Sequence, residues 1–92
     1  MPRWHVYILR CRDKSLYTGI STDVEARLQK HNAGKGAAYT RSRKPVVLAW
    51  SKACKNESFA RKQEAKIKSW TKPEKEMFLQ DQRAAKTGSP RR

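Results

Sequence analysis

The chain has little cysteine, few acids and no long apolar run. Cys11 and Cys54 allow at most one bridge and lack the Cys-x-x-Cys spacing of a zinc or redox motif, so they read as free thiols near strand ends. No apolar stretch approaches the ~20 residues of a transmembrane helix. The opening MPRWHVYILRC has a short apolar segment without a small-residue cleavage site, which fits the first strand of a cytoplasmic protein with no membrane partner. Eight Asp and Glu stand against 22 Lys and Arg, and the formal net charge is +14. Between Glu25 and Glu57 there is no acid, while Arg27, Lys30, Lys35, Arg41, Arg43, Lys44, Lys52 and Lys55 fall in that stretch. A field of one sign attracts polyanions, and the phosphate backbone is the commonest polyanion in a cell.

What is present describes one small domain. With 92 residues the chain supports a single core. Trp4 to Cys11 alternates bulky apolar side chains on both faces, as in a strand covered on both sides. A turn at Arg12–Ser15 and a second run, Leu16 to Ile20, predict an antiparallel hairpin. Asp23 offers an N-cap to a helix ending near Asn32, and Gly34–Lys44 reads as a flexible basic loop. Val46 to Trp50 is a third strand, Asn56 to Trp70 a helix, and Thr71 caps a further short helix that turns Met77, Phe78 and Leu79 inward. The expected fold class is α+β: a small three-stranded sheet flanked by helices, in the order β-β-α-β-α-α. The expected domain spans residues 1–83, with a disordered basic tail at 84–92.

Three groups carry chemistry. Glu64 shares a helix line with Ala60 and Ile67 and so points toward the domain, either as the partner of Arg61 or Lys68 or as a ligand. Arg27 and His31 are one helical turn apart, and a guanidinium held there is able to grip a phosphate. Tyr7, Tyr17 and Gly19 all sit at odd positions and share a sheet face if paired residues sum to an even number. Gly19 inside a strand suggests close approach of another group.

HVYILR followed by LYTGI, with Arg27 ten residues after Tyr17 and an inward Glu64 on a later helix, resembles the GIY-YIG nuclease superfamily, in particular its small free-standing bacterial members. Here His5-Val6-Tyr7 stands for Gly-Ile-Tyr and Tyr17-Thr18-Gly19 for Tyr-Ile-Gly. The resemblance implies a metal-dependent endonuclease: Tyr7 and Tyr17 line the site, Arg27 holds the scissile phosphate, His31 adds a polar site residue, and Glu64 ligates Mg²⁺ or Mn²⁺. It implies a nucleic acid substrate, DNA before RNA, and no small-molecule cofactor beyond the metal. Cations near Tyr7 are expected to lower its pKa and make it the general base, with His31 as rival. Lys35, Arg41, Arg43 and Lys44 on the basic loop are the expected nucleic-acid contacts. The alternative is a nucleic-acid-binding accessory protein of the same fold without turnover.

Overall fold

The computed structural model describes residues 3–87. Strands β1 (His5–Arg10) and β2 (Leu16–Ser21) form the expected hairpin, paired Tyr7↔Gly19 and Leu9↔Tyr17. The pairs sum to 26, so the parity argument holds and Tyr7, Tyr17 and Gly19 lie on one face. Helix α1 (Val24–Asn32) follows, then a short helix α2 (Ala38–Arg41), strand β3 (Val47–Ala53), and helices α3 (Glu57–Lys68) and α4 (Lys72–Thr87). The sheet order is β2-β1-β3 and both pairings are antiparallel. The α+β class is as expected.

Central placement explains the composition of β1. Val6 and Ile8 face a core built with Leu16, Cys54, Ala60, Ile67 and Leu79, while Tyr7 and Leu9 face a second core with Cys11 and Val46 under α1. Each face of the sheet thus buries one layer of apolar surface, which a sheet of three strands requires for stability.

Helix ends follow local chemistry. The Asp23 carboxylate accepts the Ala26 N–H at 3.1 Å, and Asn56 accepts the Phe59 N–H at 2.8 Å. Thr71 and Glu74 form a reciprocal capping box, with Glu74 accepting the Thr71 N–H at 2.8 Å and Thr71 accepting the Glu74 N–H at 3.3 Å. Arg10 then docks α4 onto β1 through two 2.8 Å bonds to the Glu76 carboxylate. The guanidinium, together with Lys72, holds Glu76 down to about 2.

Several expectations change. The segment expected as a flexible loop contains α2 and is packed against α1. β3 starts and ends later than expected, with Ala49 as an extra residue where the register steps from Ile8↔Trp50 to Leu9↔Leu48. As an edge strand it leaves Val47 and Leu48 exposed. Phe78 and Leu79 pack inward, with the Phe78 ring against Trp50 and Trp70, but Met77 is 65% exposed. α4 is not short, and it runs to Thr87, four residues into the expected tail; residues 88–92 lie outside the described residues.

One buried side-chain polar atom among the described residues has no hydrogen-bond partner, the Thr18 hydroxyl, on the strand that packs against α3. An unsatisfied buried hydroxyl costs the desolvation it has lost without repayment. Thr18→Val keeps the shape and removes that cost, so it is expected to raise stability by about 1 kcal/mol in denaturant melts. A variant less stable than the parent would show that the hydroxyl has a partner after all.

Candidate active-site cleft

Gly19 makes the cleft possible. A Cβ built there falls 2.7 Å from Tyr7 Oη, 2.8 Å from Tyr7 Cζ and 3.2 Å from Tyr17 Cε2. Only a residue without a side chain lets both phenols lie over β2 at this point. Around them opens a cleft of about 350 Å³ lined by Tyr7, Tyr17, Gly19, Arg27, Arg61 and Glu64, together with Trp4 and residues 20–22. Strand β1 contributes Tyr7, β2 contributes Tyr17 and Gly19, α1 contributes Arg27, and α3 contributes Glu64 and Arg61.

Glu64 has one of its expected helix partners and also opens onto the cleft. Its carboxylate lines the cleft and also pairs with Lys68 at 3.0 Å. Arg61, the other expected partner, pairs with Glu57. Among the described residues no group of three or more His, Cys, Asp or Glu gathers to hold a metal. That excludes a closed site of nitrogen or sulfur ligands, as structural zinc needs. A lone carboxylate does fit Mg²⁺, which keeps several waters and takes phosphate oxygens as ligands.

His31 does not line the cleft; it lies beneath it. It is 1% exposed, with Nε2 3.3 Å from Tyr7 Oη and Nδ1 2.7 Å from Thr40 Oγ1. The Thr40 hydroxyl in turn donates to the Ala37 carbonyl at 3.0 Å. A side chain at Gly36 would collide with the imidazole, so the chain passes directly over the ring. Tyr17 packs edge-on against His31, with centroids 5.1 Å apart. Burial, reinforced by the Arg27 charge, pushes the imidazole pKa down. Both effects favour the neutral imidazole.

The expectation that cations lower the Tyr7 pKa is overturned. Burial drives it up to about 12, Tyr17 and Glu64 add to the rise, and Arg27 opposes it without prevailing. The phenol is protonated at rest. At Tyr7 the removal of water outweighs the Arg27 charge.

The four loop cations separate into two kinds. Lys35 and Arg41 are exposed, and the Lys44 ammonium lies over Gly34. Arg43, by contrast, is engaged: it bonds Asp13 at 3.1 Å and the Tyr39 carbonyl at 2.8 Å, and its guanidinium sits 4.0 Å from the centre of the Tyr39 ring. That engagement conflicts with its expected use as a free phosphate contact. None of the four lines the cleft. Arg61 and Trp4 in the cleft wall, and Thr40 and Gly36 against His31, are among the residues that the sequence did not mark as part of the site. Arg61 had a signal, since it lies one turn before Glu64; Thr40 and Gly36 had none.

A family model described as the GIY-YIG catalytic domain matches residues 3–77, and the chain belongs to that family. Its relatives include UPF0213 proteins from Staphylococcus haemolyticus, 44% identical over 88% of this chain and 99% of the relative, and from Haloquadratum walsbyi, 47% identical over 84% and 86%. Two solution NMR structures are similar. The UPF0213 protein of Bacillus halodurans is 41% identical with a TM-score of 0.56, covering 85% of this chain and 83% of that one. A protein from E. faecalis is 38% identical with a TM-score of 0.60, covering 88% and 86%.

Because Arg43 ties Tyr39 and Asp13 together, Arg43→Ala is expected to cost roughly 1–2 kcal/mol. Lys35→Ala and Arg41→Ala, at exposed positions, are expected to leave thermal melts within about 0.5 kcal/mol of the parent. Equal melts for all three variants would remove Arg43 from the fold's support.

Proposed function

We propose that this protein is an endonuclease that hydrolyses phosphodiester bonds in nucleic acid. The observation that carries the reading is the convergence of Arg27, Glu64, Tyr7 and Tyr17, from four different elements, on one polar cleft. Phosphodiester hydrolysis needs neutralisation of charge at the phosphate, an acceptor for the water proton and relief at the leaving oxygen. The Arg27 guanidinium, at the cleft, suits the first need. Glu64 would hold a Mg²⁺ or Mn²⁺ ion, which when bound supplies positive charge to the phosphate and the leaving oxygen. Tyr7 and His31 together answer the second need. Tyr7 is too weak an acid to rest as a phenolate, but its oxygen takes a proton from water while its own proton passes to His31 Nε2. The exposed Lys35 and Arg41 supply salt-sensitive contacts to the backbone beyond the cleft.

One observation favours a second reading, a binding protein without turnover. Lys68 already offsets the Glu64 charge at 3.0 Å, so a phosphate is able to enter without a metal.

Glu64→Gln separates the two. It keeps size and helix propensity while removing the charge a metal requires. Labelled DNA and RNA panels with Mg²⁺, Mn²⁺ or EDTA are expected to show cleavage by the parent that falls by orders of magnitude in the variant, with metal-free binding unchanged or tighter. A folded variant that cuts at the parental rate would sink the role of Glu64, and a parent that binds but never cuts would establish the second reading.

A further inference from the structure

The proton path just described requires His31 to present a lone pair, not a hydrogen, to Tyr7. A neutral imidazole carries its hydrogen on one ring nitrogen, and the partner of the other nitrogen decides which. His31 Nδ1 faces Thr40 Oγ1 at 2.7 Å, and that hydroxyl lies 3.0 Å from the Ala37 carbonyl. A hydroxyl has one hydrogen. If it pointed at Nδ1, the Thr40 and Ala37 oxygens would face each other with no hydrogen between them, at a position where Thr40 is fully buried. If it points at Ala37, Oγ1 accepts from Nδ1–H and each group is satisfied.

We propose that Thr40 is a positioning residue: by giving its hydrogen to the Ala37 carbonyl it holds His31 as the Nδ1–H tautomer, leaving Nε2 to accept from the Tyr7 phenol. The resulting order is Tyr7 O–H to His31 Nε2, His31 Nδ1–H to Thr40 Oγ1, and Thr40 O–H to the Ala37 carbonyl. Helix α2 has four residues, and its buried one is Thr40. This short helix thus sets the direction of a hydrogen-bond chain that ends at the cleft. Gly36 helps by letting the loop lie against the ring. The consequence for cleavage rests on the nuclease reading; the tautomer does not.

The test is a long-range proton–nitrogen NMR spectrum of the ¹⁵N-labelled protein at neutral pH, with His31 distinguished from His5 by a His5→Gln variant. The parent is expected to show a protonated Nδ1 and an unprotonated Nε2 at His31. Thr40→Val, which keeps the shape but cannot accept, is expected to shift His31 toward the Nε2–H form. It is also expected to lower kcat by about tenfold or more at little-changed KM. Thr40→Ser is expected to restore both. A merely structural threonine would move neither tautomer nor the serine rescue in concert. An Nε2–H signature in the parent overturns the proposal, as does a folded valine variant with an unchanged tautomer. Should the valine variant not fold, the parent spectrum still decides. A parent with Nδ1–H that cuts nothing would uphold Thr40 and count against the nuclease reading, whereas cleavage by an Nε2–H parent would do the reverse.

Discussion

The close approach of Tyr7 to Gly19 is the contact on which the rest of the site depends. Cross-strand partners normally keep their side chains side by side, yet here the phenol of one lies over the backbone of the other, where a Cβ would stand 2.7 Å from its oxygen. That placement puts one oxygen atom in reach of both the cleft and the buried imidazole. From it follow the depth of the cleft, the burial that raises the Tyr7 pKa, and the contact through which His31 is linked to the surface.

Beneath the phenol, polar groups are buried in a chain whose members satisfy one another: Tyr7, His31, Thr40 and the Ala37 carbonyl. Such a chain is costly if any member is missing and rigid when complete. It is also long-range, joining β1 to α1 and α2. Asn32 strengthens the same junction by donating to the Val46 carbonyl at 2.9 Å and accepting the Val46 N–H at 2.7 Å, so the end of α1 is fastened to the chain entering β3. The basic segment between α1 and β3 is therefore held at both ends and in the middle, and its exposed cations Lys35 and Arg41 ride on a fixed support.

Much of this was legible in the sequence where a period or a parity carries the information. The hairpin, the shared face of Tyr7, Tyr17 and Gly19 once the pairing sum is even, and the inward turn of Glu64 follow from counting along a strand or a helix. The α2 segment was not legible, because Gly36 and Thr40 look like loop residues and their reason is a contact with a histidine that itself gave no sign of full burial. β3 misled for another reason. Its apolar run Val46–Trp50 marked a strand but not its place in the sheet, and at the edge Val47 and Leu48 are left exposed while an extra residue at Ala49 shifts the register. The Tyr7 pKa reversed because charges are visible in a sequence and desolvation is not.

The central claim is that Gly19 positions the Tyr7 phenol and that the phenol so positioned acts in phosphodiester hydrolysis. Gly19→Ala tests it most directly, since an added methyl must push the Tyr7 ring aside while leaving every charged cleft residue in place. Folding is followed by the backbone amide spectrum and cleavage by the labelled substrates that the parent cuts. The account predicts a folded protein with altered Tyr7 and His31 signals and cleavage reduced by about a hundredfold. A folded alanine variant that displaces the ring and still cuts at the parental rate would contradict it.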